Sequence, residues 1–150
     1  MTDKEKNNLY KEAHSFYILA KCGQDNIPEE NFVESFIPFI VNMSFACELY
    51  LKMILINNGK SIDEVKKESH NLYNLYRLLT DEQRNDIYNS FKRPMIYSIE
   101  KELKEINSAF ADWRYLVLDK ANGRQKKMQY KPYFVKEFTQ ILDEFCANIL

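Results

Sequence analysis

The sequence predicts an all-α protein, an up-and-down helical bundle of about five to six helices. Three observations lead there. Apolar residues recur at spacings of three and four along most of the chain, the period of a helix face. Only three Gly and four Pro occur in 150 residues, too few for a turn-rich β architecture. No run of alternating apolar and polar residues reads as a strand, and no repeat, low-complexity tract or interdomain linker divides residues 1–150. At this length, with 45% hydrophobic residues, the chain can bury a real core as a single domain. Ten Tyr and ten Phe give that core bulk and some polar handles.

The first helix is expected over Asp3–Lys21, with Leu9, Ala13, Phe16, Tyr17 and Ala20 on one face and Gly23, Asp25 and Asn26 as its breakers. The second begins near Pro28, with Glu29 and Glu30 suited to the positive end of the helix dipole. It runs to Asn58, where Gly59 can terminate it, and Pro38 inside it should kink or divide it. Ser61–Lys67 reads as a short amphipathic turn. Ser69 then caps a helix over His70–Leu79, whose Leu72, Leu75, Tyr76 and Leu79 share a face. Thr80 caps the next helix, with Gln83 completing a capping box, and that helix ends before Pro94. From Pro94 to about Lys120, the series Ile96, Ile99, Leu103, Ile106, Phe110, Trp113 and Val117 forms an apolar seam along a long helix, ended by Asn122-Gly123. After a basic loop, Pro132 opens the last helix, with Phe134, Phe138, Ile141, Phe145 and Ile149 inward.

Composition narrows the function classes. A net charge of −1 supplies no global basic field for nucleic acid, so any such contact must be local. Cys22, Cys47 and Cys146 are widely spaced and odd in number, with no CxxC or Cys/His pattern, so neither a metal nor another cofactor is expected. Free cysteines of this kind suit a reducing cytoplasm. The polar start MTDKEKNNLYKE is not a signal peptide, and the uncharged run Ser35–Cys47 is too short to span a bilayer, so no membrane is expected.

The segment Phe36–Lys60 is apolar on almost every side of a helix yet contains Glu48 and Lys52. The two stand four residues apart with the acid first, the favourable order for a helical pair. One reading is a Glu-Lys pair at the margin of a core helix. The other is a polar cluster inside the bundle, where charge is costly unless it is paired. Further pieces of such a cluster are His70 in Ser-His-Asn-Leu, Asn107, and Asp112 and Arg114 within AFADWRY. Asn107, Ala111 and Arg114 share a stripe beside the apolar seam, with Asp112 on the other flank.

The order ACELYLKMILINNGK, SHNLYNLY and NSAFADWRY resembles the HEPN superfamily of prokaryotic helical bundles, over roughly residues 31–120. The resemblance implies an up-and-down bundle that pairs into homodimers, in proteins linked to toxin-antitoxin and antiphage defence. Many members are metal-independent ribonucleases whose motif is an Arg followed, after four to six residues, by a His on the same late helix. There the Arg stabilises phosphate charge and the His moves protons. Arg114 corresponds to that Arg, but Tyr115, Leu116, Val117, Leu118, Asp119, Lys120 and Ala121 follow it, and no His occurs after His70.

Two uses of the cluster stay open. His70 can act with Arg114 from another helix, making Arg114 and His70 the candidate catalytic pair. Alternatively, His70 caps or packs and Arg114 forms a structural ion pair with Glu48 or Asp112. His14 reads as a partly exposed packing residue on the first helix. Lys120, Arg124, Lys126, Lys127 and Lys131, with Tyr130, form the only basic run, which suits phosphate contact with base stacking or a solvated loop. The function expected is a non-catalytic HEPN-like binding or interaction module, homodimeric, in a bacterial stress, toxin-antitoxin or antiphage setting. The alternatives are a divergent metal-independent ribonuclease and a nucleotide- or small-molecule-binding bundle. The expected partners are a second copy, RNA or a nucleotide, and an antitoxin or nucleotidyltransferase protein.

Overall fold

A computed structural model describes residues 2–25, 32–95, 97–107 and 132–150. Among them are seven helices and no strand: α1 (Asp3–Asp25), α2 (Phe32–Asn57), α3 (Ile62–Lys67), α4 (Leu72–Arg77), α5 (Asp81–Asn89), α6 (Ile99–Ile106) and α7 (Pro132–Ala147). The all-α bundle follows the apolar periodicity. The count exceeds five to six because Ser61–Lys67, read as a turn, contains a helix of its own.

α2 is the central element, packed against α1, α7, α4 and α3. That placement explains its apolar character: fully buried residues cover more than one face, from Ala46 and Met53 on one side, through Ile40, Cys47 and Ile54, to Leu55 on the other. Pro38–Asn57 passes the length and composition test for a membrane-crossing helix, and 67% of its most apolar window is buried inside the bundle. Pro38 does not divide α2; the helix continues through it, and the Asn42 amide donates to the Pro38 carbonyl at 2.8 Å. The expected start of this helix near Pro28 lies outside the described residues. Its end is a Schellman turn, with Gly59 at φ 90°, the Lys60 N–H on the Leu55 carbonyl and the Gly59 N–H on the Ile56 carbonyl.

α1 runs through Gly23 to Asp25 rather than stopping at Lys21. A helical Gly costs only about 1 kcal/mol against Ala, too little to stop a long packed helix. Its buried stripe is Ala13, Tyr17 and Ala20, with Leu9 and Phe16 packed at the edge. The short helices owe their limits to caps. Ser61 and Glu64 form a capping box at α3, and the two hydrogen bonds from Ser61 hold the Glu64 carboxyl below its usual range. Thr80 and Gln83 form the expected box at α5.

Two expected starts are corrected. α4 begins at Leu72, not His70, because the Asn71 side chain caps the Asn74 N–H and Ser69 stands at φ 50°, outside helical space. α6 begins at Ile99, not Pro94, because Ser98 caps it. Ile99, Leu103 and Ile106 carry the buried seam as expected, whereas Ile96, Phe110, Trp113 and Val117 lie outside the described residues. α7 opens at Pro132 and buries Phe134, Val135, Phe138, Thr139, Ile141, Leu142 and Cys146, with Phe145 and Ile149 at the margin.

Candidate functional site

Glu48 lies in the middle of α2 with its side chain only 3% exposed. The helical period puts Lys52 one turn later on the same side, and its Nζ donates to Glu48 Oε1 at 2.6 Å. The 68–71 turn brings His70 to the other oxygen: His70 Nδ1 lies 2.8 Å from Glu48 Oε2. A carboxylate can only accept, so this ring nitrogen carries the hydrogen. The buried acid therefore has a separate donor on each oxygen, which compensates for its removal from water. The Glu48-Lys52 helical pair is present, but its acid is buried and a third partner, His70, reaches it from a second segment.

Because α4 starts late, His70 precedes the cap instead of sitting in the first helical turn. Its side chain is 45% exposed, which leaves the ring at the surface above a buried acid. Asn107, at the end of α6, takes a different role from the one expected of the cluster. Its Oδ1 accepts the Tyr73 backbone N–H at 2.9 Å, one of the four donors that the start of α4 leaves without a helical partner. Tyr73 then faces two cations, with the Arg77 guanidinium carbon 5.7 Å and Lys104 Nζ 4.6 Å from its ring centre. Asp112, Arg114, Lys120, Arg124, Lys126, Lys127, Tyr130 and Lys131 lie outside the described residues.

A second polar cluster, absent from the sequence reading, ties α1, α2 and α7. His14 Nδ1 lies 2.7 Å from Asp143 Oδ1, and Tyr50 Oη donates to the same oxygen at 2.6 Å. Tyr10 stacks on His14 at 5.5 Å, and Tyr17 lies tilted against the same ring at 6.0 Å. Burial pushes the Tyr10 phenol up to about 12, with the nearby Asp143 charge adding to it, and burial together with the Asp143 hydrogen bond raises Tyr50 further. His14 is thus a paired residue and not merely a packing one. One sequence signal was available. Asp143 follows Thr139 by four residues and precedes Cys146 by three, so it is a charge on the stripe of the helix that carries Thr139 and Cys146.

Neither cluster gathers three or more His, Cys, Asp or Glu side chains in a metal-holding arrangement among the described residues. Beside the Glu48 cluster, Ser44 is buried one turn earlier on α2, and its hydroxyl has no hydrogen-bond partner among the described residues. A separate groove of about 400 Å³ runs between the 91–97 segment and the start of α7, with Phe91, Met95, Tyr97, Tyr133 and Phe134 among its walls and Arg93 beside them. None of Glu48, Lys52, His70 or Asn107 lines it. No family model matches the chain, no curated protein matches it, and no solved structure matches it.

Proposed function

We propose that the chain is a non-catalytic, HEPN-like helical-bundle module that binds rather than cuts, homodimeric and cytoplasmic, in a bacterial stress or defence setting. The observation that carries this reading is the closed bonding of Glu48. Both of its oxygens are engaged by Lys52 and His70 of the same chain, so His70 is turned by its Nδ1 toward a structural acid. The sequence adds that Arg114 has no His in the seven residues after it. A ribonuclease of this kind needs an acid-base group beside its Arg, and the one His near the cluster already braces the bundle.

Binding is favoured by a surface apart from the closed cluster. The aromatic groove at the start of α7 exposes Tyr97 and Tyr133, the latter by 82%, with Arg93, Glu102 and Glu137 also in its lining, a composition suited to a partner with apolar and polar parts. RNA, a nucleotide, an antitoxin or a nucleotidyltransferase are the partners that this reading carries forward.

A metal-free RNA cleavage assay tests it. Wild-type protein is expected to leave the RNA intact while retaining it in a filter or gel-shift measurement. Cleavage that disappears in both Arg114→Ala and His70→Ala would establish the divergent ribonuclease instead. Light scattering at micromolar concentration tests the pairing, and a clean monomer removes the homodimer from the proposal.

A further inference from the structure

Each histidine of this chain sets Nδ1 against a carboxylate, but the two acids differ in what else they hold. Glu48 already has Lys52 at 2.6 Å, a fixed cation that offsets its charge. Asp143 has no Lys or Arg partner among the described residues; besides His14 it is bonded by the neutral Tyr50 and Tyr10 phenols. The negative charge of Asp143 therefore remains available to a positive charge on His14.

The tautomer follows from the acceptor. Asp143 only accepts, so Nδ1 of His14 carries the hydrogen and the lone pair of the neutral ring sits on Nε2. The ring is 39% exposed while the Asp143 side chain behind it is 15% exposed. Tyr10 stacks on the ring and Tyr17 lies tilted against it, so aromatic surface adjoins the charge that the ring takes on when it is modified. Exposed Lys11, one turn earlier on the same side of α1, can meet an incoming anion. The aromatic groove at α7 is lined by none of these residues, so His14 is not the wall of that cavity. A nucleophile set on a helix surface, with an acid behind it, suits a group delivered by another molecule.

We propose that His14 is a phosphoryl-acceptor site, modified at Nε2 by a donor of the phosphoramidate class, with Asp143 as its positioning residue. The Nε2 lone pair attacks phosphorus and the N–P bond to the ring forms. The P–N bond of the zwitterionic donor breaks, and its already protonated amine leaves as ammonia. Nδ1 keeps its hydrogen, so the ring becomes a phosphoimidazolium whose positive charge faces the Asp143 carboxylate. Nothing is oxidised or reduced. His14 and Asp143 share no residue with the Glu48 cluster.

The test is to incubate the full chain with potassium phosphoramidate at neutral pH and follow each histidine by peptide mass spectrometry and 31P NMR. His14 is expected to be labelled faster than His70 in native protein, and the two rates are expected to converge in urea. His14→Gln should remove the fast label and His70→Gln should leave it. Asp143→Asn keeps an acceptor of the same shape without the charge, and should slow His14 about tenfold or more while His70 in the same molecules is unchanged. Native labelling of His14 no faster than His70, or an Asp143→Asn rate equal to wild type, would overturn the proposal.

Discussion

Glu48 and His70, 22 residues apart in the chain, meet at 2.8 Å. The contact fastens the middle of the central helix to the turn that leads into α4, and its acid is the buried partner while its base is at the surface. Lys52 completes the arrangement from within α2. The asymmetry of burial decides what each substitution should do.

Glu48→Ala removes the buried charge and both of its hydrogen bonds, and leaves a void inside the core. Lys52 and His70 can then turn to solvent, so no isolated buried charge remains. A loss of roughly 3 kcal/mol is expected, read as a lower urea midpoint at an unchanged m-value. Lys52→Ala should cost less, about 1 kcal/mol, because His70 still compensates the acid. A Glu48→Ala protein as stable as wild type would mean that the acid is not held as described.

Asn107 gives a prediction of the opposite kind, about a backbone donor. Its Oδ1 accepts from the Tyr73 N–H in the first turn of α4. Asn107→Ala is expected to cost about 1 kcal/mol and to raise the hydrogen-exchange rate of that amide. Asn107→Asp keeps the acceptor and adds negative charge at the positive end of the helix, so it should retain stability. Equal protection of the Tyr73 amide in wild type and Asn107→Ala would refute the cap.

The sequence made the Glu48 cluster partly legible because Lys52 is one helical turn away, a relation fixed by local geometry. His70 was legible as a polar residue in a helix-start motif, but its exact place was not. Ser69 could cap just as Asn71 does, and only the left-handed φ of Ser69 in the folded chain decides between them. Asp143 was passed over because its partners come from the far end of the chain. His14 is 129 residues away and Tyr50 is 93, and no spacing rule joins residues that meet only by helix packing. The buried face of α7 is wider than the expected Phe134, Phe138 and Ile141 stripe for the same reason. The Thr139 hydroxyl beside Cys47 Sγ and the Cys146 thiol on the Tyr50 carbonyl turn the 139/142/146 stripe toward α2.

Tyr50 lies fully buried and its hydroxyl reaches Asp143 at 2.6 Å. Tyr50→Phe keeps the ring but takes one donor from a largely buried carboxylate, so a cost of roughly 1.5–3 kcal/mol is expected. Combining it with His14→Gln should show coupling of about 0.5–3 kcal/mol, since both donors serve one oxygen. Simple additivity of the two losses would separate the residues energetically and contradict the shared acceptor.

Alkaline pH should unfold the protein through groups that burial keeps protonated. Burial pushes the Cys47 thiol from 9.0 up to about 12, and the Tyr76 phenol from 10.0 up to about 12. It also raises Tyr50 and Cys146. In the unfolded chain the thiols ionise near pH 9 and the phenols near pH 10, whereas the folded chain holds those protons. Their contribution to stability is thus complete below about pH 9 and is lost as pH rises toward the folded values, at up to roughly 1.4 kcal/mol per pH unit for each group. Urea midpoints should be insensitive to these groups between pH 7 and about 8.5 and fall steeply above it. Cys47→Ala should start less stable but lose less between pH 9 and 10, because it deletes one of the first groups to titrate. A midpoint that holds steady to pH 11 would show that these protons are not retained by folding.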